Sequence, residues 1–218
     1  AGLAGSLTSF YVAITAIFAF LLWLAGLSAF DAVNHSMTSI ATGGFSTRDA
    51  SVGHFNSAAI DYTITAAMIA GSLPFVLYLR AVRGDALPLF KDSQVHVFFY
   101  VVAVLAISLT GYQMMQEING PVTDQFRYAL FNSVSILTGT GYATHEFDRW
   151  GPFAIAVFFV IMFIGGCSGS TSCGMKIFRF QVVFAALVTE LRRMVHPNGV
   201  FVPRYNGRPI GDSVIASV

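Results

Sequence analysis

Four stretches of the chain, 7–30, 62–79, 93–116 and 150–175, run without a single Lys, Arg, Asp or Glu. Between the members of each pair lies a segment of another kind. Positions 31–41 and 124–137 mix apolar and polar residues at helical spacing, and each precedes a Gly- and Thr-rich run, 42–47 and 139–144. At a rise of roughly 1.5 Å per residue, the long stretches each reach across a hydrocarbon layer of about 30 Å, which predicts membrane-crossing helices. The short segments reach only about 15–21 Å and cannot span. The chain must there enter the membrane and return on the same side. Non-helical backbone at such depth is tolerated only where protein or water satisfies its polar groups, so the two loops predict a wet cavity beside them.

The pattern is a repeat. At an offset of 97 residues Gly44 meets Gly141, Phe45 meets Tyr142, Thr47 meets Thr144 and Asp49 meets Glu146, with Ser36 on Ser133 and Ala32 on Ala129 further back. The pair Ser39-Ile40 matches Ser135-Ile136 only after a one-residue slip, which leaves the join between helix and loop open. The fold class expected is an all-α membrane protein of repeated span–pore helix–filter loop–span units. Its divisions are a first unit at 1–83, a cytoplasmic linker at 84–93, a second unit at 94–190 containing an intramembrane loop at 165–174, and a basic, turn-rich tail at 191–218. The last residues, 210–218, read as the start of a further element.

Composition agrees: 55% of the 218 residues are hydrophobic, only 11% are charged, and mean hydropathy is +0.67, too apolar for a dispersed soluble domain. No short hydrophobic segment with a basic start opens the chain as a cleavable signal would. Charge orients it. Arg80, Arg83, Lys91, Lys176, Arg179, Arg192, Arg193, Arg204 and Arg208 fall on one side of the spans, and only Arg48, Arg127 and Arg149 on the other. The first set therefore faces the cytoplasm. Asp31, Asp49, Asp61, Glu117, Asp124, Glu146 and Asp148 belong to the outer set, a balance that concentrates cations at the outer mouth, although each carboxylate singly reads as loop solvation. Cys167 and Cys173 have no His or carboxylate partner nearby in sequence, so neither a zinc site nor a disulfide framework is supported, and both read as small packing residues.

The chemistry is expected in the loops. Thr42-Gly43-Gly44-Phe45 and Gly139-Thr140-Gly141-Tyr142 share small or hydroxyl residues, a central Gly and an aromatic, the layout of the Thr-Val-Gly-Tyr-Gly filter of potassium channels. An ion entering a pore trades its water shell for oxygens, which backbone carbonyls supply without a full charge. Lining a path with successive carbonyls needs backbone angles that Gly adopts freely. The aromatic is expected to pack outward and hold the loop open, and the preceding helix to aim its partially negative C-terminus at the cavity. The second Gly of the channel pattern is replaced by Ser46 and Ala143, which puts four complete ion layers in doubt. The bland alternative is a pair of tight turns between spans.

A third stretch breaks the last span. Gly165, Gly166, Gly169 and Gly174 each lower helix stability by about 1 kcal/mol relative to Ala, which predicts unwinding there. Ser168, Ser170, Thr171 and Ser172 are placed to satisfy the freed backbone or touch a passing ion, with Lys176 holding a charge toward the inner mouth. The corresponding depth of the first unit, with Gly71, Ser72 and Pro74, predicts a milder kink. A phosphate-binding loop fails, because Met175 intervenes before the lysine and no Ser or Thr follows it. A small-residue packing notch is the remaining alternative.

The order of elements, with NHSMTSIATGGFSTRD at 34–49 and FNSVSILTGTGYATHEF at 131–147, resembles the Trk/Ktr/HKT superfamily of potassium transporters, nearest to the bacterial Trk-type membrane subunits. The glycine-rich stretch from Gly165 to Lys176 looks like the loop that gates the pore in that family. The resemblance covers nearly the whole chain. It implies the family's second and third repeats and the start of the fourth, without the first. It further implies potassium as substrate at the filter carbonyls, an inner-membrane location in the lipid bilayer, homodimers, and a cytoplasmic nucleotide-binding regulatory subunit. Neither an organic cofactor, a transition-metal site nor a nucleic-acid partner is expected. A sodium-permeable member of the same superfamily is the first rival. An unrelated polytopic membrane enzyme is the second, and it lacks convergent titratable groups in the spans, which offer only Asp61 and His96 near edges.

Overall fold

The computed structural model describes residues 2–118, 120–196, 199–211 and 214–215. Helix α1 (Leu3–Leu24) descends first and leaves Ile17, Phe20 and Leu24 more than half exposed, an apolar surface suited to lipid. The short re-entrant helix α2 (Ala29–Ile40) follows. Its start is fixed by Ser28, whose hydroxyl accepts from the Asp31 N–H at 3.1 Å, with the Asp31 carboxylate in the positive first turn. After the first loop come α3 (Ala58–Ser72), α4 (Phe75–Val82) and α5 (Leu87–Lys91).

The second unit repeats this order. It comprises α6 (Ser93–Met115), the re-entrant helix α7 (Val122–Leu137), the second loop, α8 (Pro152–Ile161) and α9 (Ile177–Val195). Among the described residues α1 and α6 are each long and apolar enough to cross a membrane alone. The stretch at 150–175 is divided, and the break is wider than the expected 165–174: α8 has ten residues and the chain is unwound from Met162 to Lys176.

Two features depart from expectation. The break in the first unit is no mild kink, because α3 and α4 meet at 95°. Leu73 is extended and Pro74, with no N–H to continue the ladder, opens α4 in the new direction. In the tail, Arg204–Tyr205 pairs antiparallel with Arg208–Pro209 across a turn with left-handed Asn206 and Gly207, so a small β-hairpin (β1, β2) sits in an otherwise helical chain. Most of the element expected at 210–218, and Pro197 and Asn198 of the tail, lie outside the described residues.

The two units share one core. Leu22, Ile64 and Met68 of the first pack in the same buried cluster as Phe98, Leu109, Phe131, Val134 and Trp150 of the second. An ionic bond joins them as well. Arg127, on α7, reaches Asp61 of α3 at 3.4 Å, and their side chains are 10% and 3% exposed. Arg127 also meets Asp124 at 3.2 Å and donates to the Tyr128 hydroxyl at 3.0 Å. Arg127→Met leaves a buried carboxylate alone and is expected to cost about 3 kcal/mol, read as a lower melting temperature of the detergent-solubilised protein. Adding Asp61→Leu to it is expected to restore most of the loss.

Candidate ion path

Each re-entrant helix ends at the same register point. Ile40 and Leu137 close α2 and α7 at the 97-residue offset, and the first backbone bonds beyond them repeat in pairs, the second loop adding Gly141 N to Ser135 O at 3.2 Å. Gly43 N donates to Thr38 O at 2.7 Å, and Thr140 N to Ser135 O at 2.9 Å. Thr42 N donates to Ser39 O at 3.1 Å, and Gly139 N to Ile136 O at 3.0 Å. The join that the sequence left open therefore has no slip. Thr38, not Ser39, is the counterpart of Ser135. Both hydroxyls do the same work: Thr38 donates to the Phe45 carbonyl at 3.0 Å and Ser135 to the Tyr142 carbonyl at 2.6 Å.

The loop backbones repeat too. Thr42 and Gly44 have φ of 49° and 69°, and Gly139 and Gly141 have 73° and 85°. A left-handed residue at every second position lets each loop turn its carbonyls toward one side, which a carbonyl-lined ion path requires. Thr42 is a β-branched residue in that region, an uncommon and strained choice, held by its hydroxyl's bonds to Ala41 O at 2.8 Å and Thr171 O at 3.0 Å. In the second loop the backbone of Gly139 and Gly141 is exposed while Thr140 and Tyr142 turn inward and are buried. A Cβ on Gly141 would meet open space.

The loops lie against each other. A Cβ on Gly44 would overlap the carbonyl oxygen of Thr140, with the Gly141 carbonyl carbon 3.6 Å away. The Tyr142 hydroxyl bonds to Phe45 O at 3.1 Å and to the Thr38 hydroxyl, and its ring stacks on His35 with centroids 5.8 Å apart. Tyr142 thus braces the first loop from behind. Phe45 behaves differently and is 76% exposed, so only one of the two aromatics takes the expected packed position.

Further out, Asp31 holds the loop exit. Its carboxylate accepts from Thr47 at 2.5 Å and pairs with Arg48 at 2.8 Å. The Thr47 hydroxyl first, and then Arg48, hold this carboxyl well below the usual carboxylate range, at about 2. Two residues that the sequence reading passed over complete the site. His35 and Asn132, at the 97 offset and both fully buried, each link their own helix to the loop. The signal was in the repeat, which sets a histidine against an asparagine inside an apolar helix.

The unwound stretch at 162–176 lies under both loops. Thr171 Oγ1 donates to Ile40 O at 2.7 Å and to Gly71 O at 2.8 Å, and Cys173 N donates to Thr138 O at 3.3 Å. Carbonyls at the C-terminal ends of both re-entrant helices are therefore occupied by this one strand. Its other anchors are on the break between α3 and α4, where Cys167 N donates to Ser72 O at 3.0 Å and Phe75 N to Gly169 O at 3.1 Å. Ser168 N donates to Gln94 Oε1 at 2.7 Å. Gly165 and Gly174 allow the two arms to pass, since a Cβ on Gly165 would overlap Cys173 O. Gly166 N donates to Ser172 Oγ at 2.8 Å.

Lys176 is anchored within the unwound stretch. Its Nζ folds back to the Ser172 carbonyl, to Ser172 Oγ at 3.1 Å and to Ser170 Oγ at 3.3 Å. Cys167 is buried and Cys173 exposed beside Gly139, and both are free thiols.

The comparisons with known proteins agree over this whole assembly. A family model described as TrkH, cation transport protein, matches residues 4–218. The Trk system potassium uptake protein TrkI of Halomonas elongata is 41% identical over 218 residues, which is all of this chain and 44% of that protein. The Trk system potassium uptake protein TrkH of Salmonella typhimurium is 34% identical over 209 residues, 95% of this chain and 43% of that one. The crystal structure of the potassium transporter TrkH from Vibrio parahaemolyticus superposes with a TM-score of 0.92 at 33% identity, over 98% of this chain and 46% of that chain. The chain thus spans less than half the length of these relatives.

Two outcomes follow from the loop geometry. Gly141→Ala is expected to cost about 1 kcal/mol, the left-handed penalty alone. Gly44→Ala must in addition displace Thr140 and is expected to lower the melting temperature in detergent further. For Asp31, a depressed acid contributes stability above its unfolded pKa near 4 and loses it as pH falls through about 2. The melting-temperature gap between wild type and Asp31→Asn is therefore expected to hold constant above about pH 5 and to close on acidification toward pH 2.

Proposed function

The chain belongs to the TrkH family of cation transport proteins, and from that premise we propose that the protein takes up potassium across the inner membrane through a carbonyl-lined filter. It is a multi-spanning membrane protein and no enzyme. The observation that carries the reading is the pair of loops, Thr42-Gly43-Gly44-Phe45 and Gly139-Thr140-Gly141-Tyr142. They have left-handed residues at matching positions and lie backbone to backbone.

The mechanism is dehydration and electrodiffusion. Potassium leaves its water shell for the free loop carbonyls, while the Thr38, Tyr142 and Ser135 hydroxyls hold each loop in shape by engaging the Phe45 and Tyr142 carbonyls at its far end. Below them, the C-termini of α2 and α7 offer partial negative charge to a cation. The strand at 165–174 is the gate. While closed, Thr171 and Cys173 occupy Ile40 O and Thr138 O, so an ion finds those carbonyls already engaged. Lys176 fastens the strand through Ser170 and Ser172 and adds a positive charge beneath the filter. Opening releases these bonds together.

Both units, 1–83 and 94–190, contribute a side of one path, with 84–93 and 191–218 on the inner face. That face carries Arg80, Arg83, Lys91, Arg192, Arg193, Arg204 and Arg208. The relatives' description as parts of a Trk system supports work with further components of such a system. By the family resemblance, the proposed partner is a cytoplasmic nucleotide-binding regulatory subunit docking on this face of a homodimer.

In cells lacking their own potassium uptake systems, the full-length protein is expected to restore growth on limiting potassium and to carry rubidium. Growth failure with no rubidium flux overturns the proposal. Within that assay Gly141→Ser is expected to lower potassium-over-sodium preference, and sodium flux equal to potassium flux in the wild type would assign a sodium-permeable transporter instead. Lys176→Met is expected to raise basal flux several-fold, and unchanged flux in a well-expressed variant removes the lysine from the gate.

A further inference from the structure

The two re-entrant helices carry one brace each, built from different side chains. Asn132 donates from Nδ2 to the carbonyl of Tyr128, one turn back, at 2.8 Å, and to Thr144 Oγ1 at 3.1 Å, while its Oδ1 accepts from Thr144 N at 3.4 Å. His35, its counterpart at the 97 offset, bonds from Nδ1 to the carbonyl of Asp31, one turn back, at 2.8 Å, and from Nε2 to Ser46 Oγ at 3.0 Å. A carbonyl only accepts, so Nδ1 carries the proton and Nε2 accepts from the serine hydroxyl. Ser46 Oγ in turn accepts from Arg48 N at 3.1 Å. Each side chain thus ties a rigid helical turn to the residue one or two places after the aromatic of its loop.

We infer that His35 is a selectivity-setting positioning residue of the first filter loop, doing with an imidazole what Asn132 does with an amide in the second. Three observations carry this. The histidine is completely buried, so both ring nitrogens need partners and have them. Its far end is the loop, not the helix core. The ring is clamped on two sides, by Tyr142 at 5.8 Å from the second loop and by Phe55 edge-on at 5.4 Å from the outer turn Ser51–Phe55. Ion discrimination by carbonyls requires that they keep their spacing when a smaller ion enters. A brace fixed at both ends and on both faces resists that collapse.

The inference rests on the filter reading, and its test separates the two. Potassium and sodium uptake are measured for the full-length wild type, His35→Leu, His35→Asn and Ser46→Ala, each checked for membrane expression and a single gel-filtration peak. His35→Leu keeps the bulk and loses both bonds. It is expected to lower the potassium-to-sodium ratio several-fold. His35→Asn, which copies the second repeat, is expected to recover most of the ratio. Ser46→Ala removes only the far end of the brace, and is expected to shift the ratio in the same direction even if His35→Leu does not fold. A wild type that conducts selectively while His35→Leu and Ser46→Ala match its ratio overturns the inference and leaves the filter standing. So does an Asn variant no better than Leu. A wild type with no cation flux fails the filter reading itself.

Discussion

Peptide groups that leave a helix inside a membrane cannot turn to bulk water, and each must find a partner in the protein or at the ion path. That constraint governs every irregular segment of this chain. The first loop is closed by Thr38 and Tyr142, the second by Ser135 and Asn132. Gly53 N donates to Ala143 O at 3.0 Å and Ser51 Oγ accepts from Ala143 N at 3.2 Å, so the outer turn of the first unit finishes the loop of the second. The partners come mostly from the other unit or from a side chain one helical turn below.

The same requirement explains why two broken spans occur together. The unwound strand at 162–176 frees many donors and acceptors, and the sharp bend between α3 and α4 frees a second set at Gly71, Ser72 and Phe75. Each break supplies the other's partners, through Cys167 N to Ser72 O, Thr171 N to Gly71 O and Phe75 N to Gly169 O. Gly71 leaves room for this, since a Cβ there would sit 2.5 Å from Ile40 O. Joined, they form a layer against the inner ends of both re-entrant helices, and the proposed gate would have only this small set of bonds to release.

The outer end is governed by charge instead of backbone. Asp31 is the hinge of a compact cluster in which Ser28, Thr47 and Arg48 all bond to one carboxylate. The cluster starts α2 and fixes the chain as it leaves the first loop. Arg127, between Asp61 and Asp124, performs the corresponding task for α7 but ties it to the neighbouring unit. The two re-entrant helices are thereby held at their outer ends by different ionic arrangements, while both inner ends are met by the unwound stretch, through the Thr171 hydroxyl at Ile40 O and the Cys173 N–H at Thr138 O.

Much of this was legible in the amino-acid order. Long uncharged stretches, the 97-residue offset and the glycines at 44, 139 and 141 identify spans, repeat and loops, because span length and left-handed backbone are local requirements. The unwinding at 165–174 follows from four glycines in one apolar run. Other features depended on what the chain meets in three dimensions. The 95° turn after Ser72 is a mild Gly-Ser-Pro signal until the strand from the second unit arrives to satisfy it. Lys176 turns back because hydroxyls wait there. Thr38 rather than Ser39 holds the first loop, a one-residue distinction that pairing alone could not resolve and hydrogen-bond geometry does. Short-range periodicity and steric freedom are written residue by residue. The choice of partner for a buried polar group is made by packing, and no local pattern encodes it.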